Sequence, residues 1–175
     1  MMKQLILLIG ILFLVSSCKK EQKYTVISNV PDLEMPNNQL KFKEIAAYKN
    51  YRIVATHFRK DKNELRYILA NDKAFEAYNE HKPFPNGSKI VKIGWNVADM
   101  SNFGAALEAK KVQRIEYMIK DASQFAKNPG NWGYARFVKE NNTYKPWSKG
   151  TQGCISCHNL AKDNDYLFTH LQKLE

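Results

Sequence analysis

The feature that most constrains this chain is Cys154-Ile155-Ser156-Cys157-His158, a C-x-x-C-H run close to the C-terminus. Two thiols three positions apart on one helical turn can each form a thioether with a vinyl group of a haem. The adjoining histidine then reaches the iron as an axial ligand. Other uses of the pattern fit less well. A redox dithiol belongs to a cytosolic β-α-β context, whereas this chain begins with an export signal. Zinc needs four ligands, and neither a second C-x-x-C pair nor an H-x-x-x-H is present. A disulfide across two residues would be strained and would leave His158 unexplained. The run predicts one haem c, bound through Cys154 and Cys157, with His158 on the iron.

The export signal is Met1–Ser17, with Lys3 ahead of the apolar run Leu5 to Val15. That run is short of the roughly 20 apolar residues a membrane-spanning helix needs. It ends in Val15-Ser16-Ser17-Cys18, which resembles a bacterial lipobox. Cleavage before Cys18 would leave that residue lipidated at a new N-terminus, on the periplasmic side of a bacterial membrane. Lys19 follows the cysteine where an aspartate would favour the inner membrane, so the outer membrane is favoured. With three cysteines assigned this way, no thiol remains for a structural disulfide. Residues 18–40 are polar, with Pro31 and Pro36, and read as a flexible tether; residues 41–175 read as one domain. The net charge of +10 is spread along the chain without a basic run or a nucleic-acid motif. Such a surface suits an anionic membrane or an acidic redox partner, not nucleic acid.

Within the domain, Phe42 to Lys49 has helical spacing. Five strands are predicted, at Tyr51–Phe58, Glu64–Ala70, Ser88–Trp95, Val112–Ile119 and Trp132–Lys139, from β-branched and aromatic runs bounded by turn residues. Asn71-Asp72 caps a helix over Lys73–Glu80, and Asn86-Gly87 turns into the third strand. Asn96 to Lys110 reads as a loop, Ala122 to Ala126 as a short helical stretch, and Cys154 to Leu174 as a final helix broken near 162–165. The fold class is α+β: a five-stranded antiparallel sheet with flanking helices, against which the haem stacks.

The haem motif lies late in the chain, and the residues after it contain no methionine. A sixth iron ligand would come from Met35, Met100 or Met118, or from His57, His81 or His170. His57 on a strand, His81 before Pro83 and His170 near the end are most simply exposed, capping or packing residues.

Beyond the motif, Asn131-Trp132-Gly133-Tyr134-Ala135-Arg136-Phe137 and Asp165-Tyr166-Leu167-Phe168-Thr169 flank it. Upstream lie Phe84-Pro85-Asn86-Gly87-Ser88-Lys89-Ile90-Val91-Lys92 and the helix Asn71-Asp72-x-Ala74-Phe75-x-Ala77-Tyr78. Together, over roughly Tyr48 to Leu171, these resemble the cytochrome P-460 family. The resemblance implies a five-stranded sheet, often a dimer, and a haem iron bound by the proximal histidine alone with its distal side open. In the cytochromes P-460 proper, a strand lysine matching Lys92 is bonded to the porphyrin, and the proteins oxidise hydroxylamine with nitric oxide chemistry at the iron. Here Ile93 follows Lys92, where those proteins carry an acidic residue. Relatives called cytochromes c′-beta lack the bond and bind nitric oxide or carbon monoxide in an apolar pocket. An arginine and a distal carboxylate match Arg66 and Glu116. Strand alternation puts Lys92 with Ile90 and Gly94, Arg66 with Ile68 and Ala70, and Glu116 with Met118. A carboxylate so placed would act as a general base, and Arg66 would hold a propionate or pair with Glu116. Three functions remain open: redox catalysis on a small nitrogen species, gas binding, and six-coordinate electron transfer to a partner protein.

Overall fold

The computed structural model describes residues 31–173. The signal segment, Cys18 and the tether as far as residue 30 lie outside the described residues. The architecture is one antiparallel sheet of six strands in sequential order, with two α-helices on one face. The strands are β1 (Arg52–Arg59), β2 (Glu64–Ala70), β3 (Lys89–Met100), β4 (Phe103–Lys120), β5 (Trp132–Glu140) and β6 (Thr143–Pro146). The helices are α1 (Asp72–Glu80), between β2 and β3, and α2 (Gly150–His158), after β6.

The sheet thus has six strands where five were expected. β6 follows β5 through Asn141-Asn142, both with positive φ (47° and 63°), the conformation of a tight hairpin turn. A second departure is the stretch read as the loop Asn96–Lys110. It is β-structure, because β3 and β4 run on beyond the sheet as a two-stranded ribbon that turns between Met100 and Phe103. The ribbon tip covers nothing: Met100, Phe103 and Leu107 are exposed.

The two faces of the sheet are buried by different parts of the chain. One face, with Leu69, Val91, Ile93, Ile115, Tyr117 and Phe137, packs on Met35, Leu40, Phe42 and Ile45. Phe42 is fully buried, with its ring 5.0 Å from that of Phe137; burial of such a side chain is worth about 1.5–3 kcal/mol. Residues 33–40, read as tether, are therefore part of the domain. Phe42 to Lys49 forms two short 3-10 turns, Phe42–Ile45 and Tyr48–Asn50, in place of an α-helix.

The other face carries Ile68, Ala70, Ile90, Met118 and Tyr134, and it packs against α1, Phe84 and Leu167. Asn71 fixes the start of α1. Its side-chain oxygen accepts from Ala74 N–H (3.1 Å) and Lys89 N–H (3.0 Å), and its amide donates to the Gly87 carbonyl (2.9 Å). α2 stops at His158; a 3-10 segment, Asn159–Asn164, follows, and then Asp165 and Tyr166 take positive φ (47° and 66°). The break expected near 162–165 thus falls at Asp165, but α2 has already stopped at His158, and no helix resumes toward Leu174 among the described residues.

Candidate functional site

α2 and the segment after it close over the sheet and leave a cavity of about 380 Å³. Cys154, Cys157 and His158 line it from α2, and Arg66, Lys92 and Glu116 line it from β2, β3 and β4. The six candidate site residues named from sequence, remote along the chain, thus border one space.

Strand register explains how. Side chains directly opposite one another across the sheet form rungs on the cavity face. The middle rung is Ala55, Ile68, Lys92, Glu116 and Arg136. On one side of it lies the apolar rung Ala70, Ile90, Met118 and Tyr134. On the other lies His57, Arg66, Gly94 and Arg114. The face therefore grades from hydrocarbon to charge within two rungs.

On the middle rung, Lys92 Nζ contacts Glu116 Oε2 directly. Glu116 Oε1 lies 3.1 Å from Arg114 Nε and 3.4 Å from Arg136 Nε. These two guanidinium contacts are ion pairs without hydrogen-bond alignment, since neither Nε has a hydrogen-bond partner among the described residues. Burial would raise the Glu116 carboxyl, but Lys92, Arg136 and Arg114 outweigh it and hold it down at about 2. Arg136 also lies over the Trp147 ring at 4.0 Å.

Arg66 does not pair with Glu116. It pairs with Glu64, two residues before it, whose side chain is only 1% exposed. Arg114 Nη2 donates to the same Glu64 oxygen at 2.6 Å, so Arg114 bridges Glu64 and Glu116. A Cβ at Gly94 would sit 2.9 Å from the Glu64 carboxylate, so only glycine leaves room for this buried group. Sequence reasoning missed Glu64, Arg114 and Arg136. Two are at i−2 of named residues, so strand alternation alone was a signal for them, and Arg136 lies inside the run Trp132–Phe137.

On the opposite wall, His158 Nδ1 lies 2.6 Å from the Tyr166 carbonyl oxygen. A carbonyl can only accept, so Nδ1 carries the proton and Nε2 keeps its lone pair. Burial lowers the pKa of His158, against the raising effect of the Tyr166 carbonyl, which favours the neutral imidazole that binds metals. Tyr134 and Phe168 flank its ring at 4.8 and 5.3 Å. Cys154 and Cys157 are free thiols, and burial pushes Cys154 up to about 11.

Of the sixth-ligand candidates, His57 and Met118 line the cavity. Met35 is buried under the other face, Met100 is on the ribbon, His81 caps α1 with φ 54°, and His170 is exposed.

These residues fit a haem c. There are two unpaired thiols, an imidazole with a free Nε2 and an apolar rung for a ring system. Four cations (Arg66, Lys92, Arg114, Arg136) face two carboxylates (Glu64, Glu116), an excess that suits acidic substituents. Among the described residues, no group of three or more His, Cys, Asp or Glu converges as a bare-metal site would require. Cys154 and Cys157 would hold the group and His158 would bind its iron. Fold and site together fit a haem protein built on an antiparallel sheet.

The family model for cytochrome P-460 matches residues 45–169, more than two thirds of the chain. The chain belongs to the cytochrome P-460 family and is a haem c protein of that family. A search of curated proteins found no match.

Proposed function

We propose that the protein carries out redox chemistry on a small nitrogen species, with hydroxylamine the favoured substrate and nitric oxide the related ligand. The observation behind this reading is the Lys92–Glu116 contact inside the cavity that His158 lines. A bound haem would supply, through an iron held by His158 alone, the site of substrate binding and electron loss. The chain's own residues do the rest. Cys154 and Cys157 anchor the group, and His158 presents Nε2. Once Lys92 no longer presents an ammonium to it, Glu116 would take up the protons that hydroxylamine sheds. General-base assistance of this kind is worth roughly 10²–10⁴-fold. Arg114 and Arg136 keep that carboxylate in place.

Lys92 tunes this base. While its ammonium touches Glu116, the carboxyl is held low and is a weak proton acceptor. Bonding of Lys92 to the porphyrin, as in the cross-linked members of the family, would remove the ammonium and let the Glu116 pKa rise toward a useful value. The same contact favours a second reading. An amine engaged as an ammonium is not a nucleophile, and an unlinked protein would serve as a binder of nitric oxide or carbon monoxide. His57 and Met118 keep a six-coordinate electron carrier as the third alternative.

Mass spectrometry of haem-bearing peptides tests the first reading. The Lys92 peptide is expected to travel with the haem peptide, and Lys92→Ala to abolish this while the haem stays attached. A Lys92 peptide always free of haem, with an ordinary reduced Soret band, refutes the cross-linked enzyme. Carbon monoxide uptake by the reduced protein then separates gas binder from electron carrier. For location, we propose a periplasmic-side protein anchored through lipid on Cys18, the outer membrane favoured, working with an acidic redox partner and as a homodimer. Cys18→Ala is expected to release it from the membrane fraction; a wild type found soluble overturns the anchor.

A further inference from the structure

The turn that offers its carbonyl to His158 is held from three directions by one carboxylate. Asp165 accepts from Lys120 Nζ at 2.7 Å (Oδ1) and 2.5 Å (Oδ2), from Trp132 Nε1 at 3.2 Å and from Phe84 N–H at 3.3 Å. These donors sit at the end of β4, at the start of β5 and in the loop before β3. The Lys120 and Asp165 side chains are 13% and 22% exposed.

This anchoring has a local purpose. Asp165 and Tyr166 are consecutive non-glycine residues with positive φ. That conformation persists only where surrounding contacts impose it. Gly130 supplies a further restraint: its φ is 63°, and a Cβ there would lie 2.5 Å from the Tyr166 ring, so the ring is seated against bare backbone. The product of these restraints is the Tyr166 carbonyl, fixed 2.6 Å from His158 Nδ1.

We propose that Asp165, clamped by Lys120 and Trp132, is a positioning residue for the axial histidine. It acts on the iron's electronic properties through the Tyr166 carbonyl. The inference rests on the reading of His158 as iron ligand. A hydrogen bond from Nδ1–H to a fixed acceptor makes Nε2 a stronger donor. A stronger donor favours the ferric over the ferrous state, so the clamp lowers the reduction potential and stiffens the iron–histidine bond. Loosening the turn does the reverse.

The test uses the full-length, haem-loaded protein and two readouts: the reduction potential, and the iron–histidine stretch of the reduced form by resonance Raman. Asp165→Ala is expected to raise the potential and lower the stretching frequency, with haem still attached; Asp165→Asn shifts both less, in the same direction. Phe42→Leu, which loosens the opposite face of the sheet, is expected to leave both in place. If Asp165→Ala fails to fold, Lys120→Met releases the clamp from its other side and is expected to move both readouts the same way. A folded, haem-loaded Asp165→Ala or Lys120→Met with wild-type potential and frequency overturns the proposal. So does a Phe42→Leu that shifts both equally. A haem-loaded wild type whose reduced form shows no iron–histidine stretch overturns the ligand reading itself, and the proposal with it.

Discussion

Protonating Glu116 is the perturbation that most directly probes the charge arrangement in the cavity. Its carboxyl is buried, which would raise it, yet Lys92 and the two arginines bring it from an ordinary 4.5 to about 2. A difference of roughly 2.5 units at 1.36 kcal/mol per unit is about 3 kcal/mol of folding stability. The folded pKa lies below the unfolded one. The stabilisation is therefore complete above about pH 4.5 and drains away as pH falls toward 2. Urea unfolding of haem-free wild type and Glu116→Gln across pH 2.5–7 isolates this term, because Lys92 is then a free ammonium and the other acids titrate alike in both. Glu116→Gln is expected to be less stable by about 3 kcal/mol at pH 7 and to converge on wild type at the acid end. Lys92→Met, lacking the strongest of the cations, is expected to show a shallower acid decline than wild type. Parallel pH curves for wild type and Glu116→Gln would refute the reasoning, since they would mean the three cations leave Glu116 with an unfolded-state pKa.

Glu64→Gln strips the shared counter-charge from Arg66 and Arg114, each only 13% exposed. Breaking a buried pair from one side costs about 3–5 kcal/mol, and the lower end applies because Arg114 keeps Glu116. Calorimetry should show Tm lower by roughly 6–12 °C; an unchanged Tm would mean the cluster contributes nothing. Gly133→Ala would place a Cβ 2.3 Å from the buried Phe125 ring. Overpacking of this kind costs about 1–3 kcal/mol. A urea midpoint unmoved in Gly133→Ala, or no recovery when Phe125→Leu is added, counts against that contact.

The parts of this fold that bury one face were legible in the sequence. β1, β2, β5 and α1 lie close to their expected limits because each alternates or repeats against a core. The ribbon of β3 and β4 was not legible, because strands that leave the sheet bury neither face and lose their period of two. β6 was missed for a related reason: it is a four-residue edge strand ending in Pro146, and its signal lay in Asn141-Asn142. The break near 162–165 was legible, but the earlier stop of α2 at His158 was not, nor that Lys120, Trp132 and Gly130 would hold Asp165 and Tyr166 at positive φ. In the site, register did most of the work. Lys92 and Glu116 were placed on the right faces by alternation, but their contact depends on pairing between strands 24 residues apart. The pairing of Arg66 with Glu64 depended on Gly94 opening space, which no pattern in β2 discloses.

The graded face of the sheet has a consequence for assembly. A planar amphiphile laid on it has one orientation of low energy. Turned around, it would set ionised groups over Ile90 and Met118 and leave Arg114 and Arg136 against hydrocarbon, a burden of several kcal/mol. The rungs would thus choose the direction of entry before any bond formed at Cys154 or Cys157. Two thiols fixed on one helix would then meet only one pair of ring edges, and the sheet would work as a jig for a covalent step at those thiols.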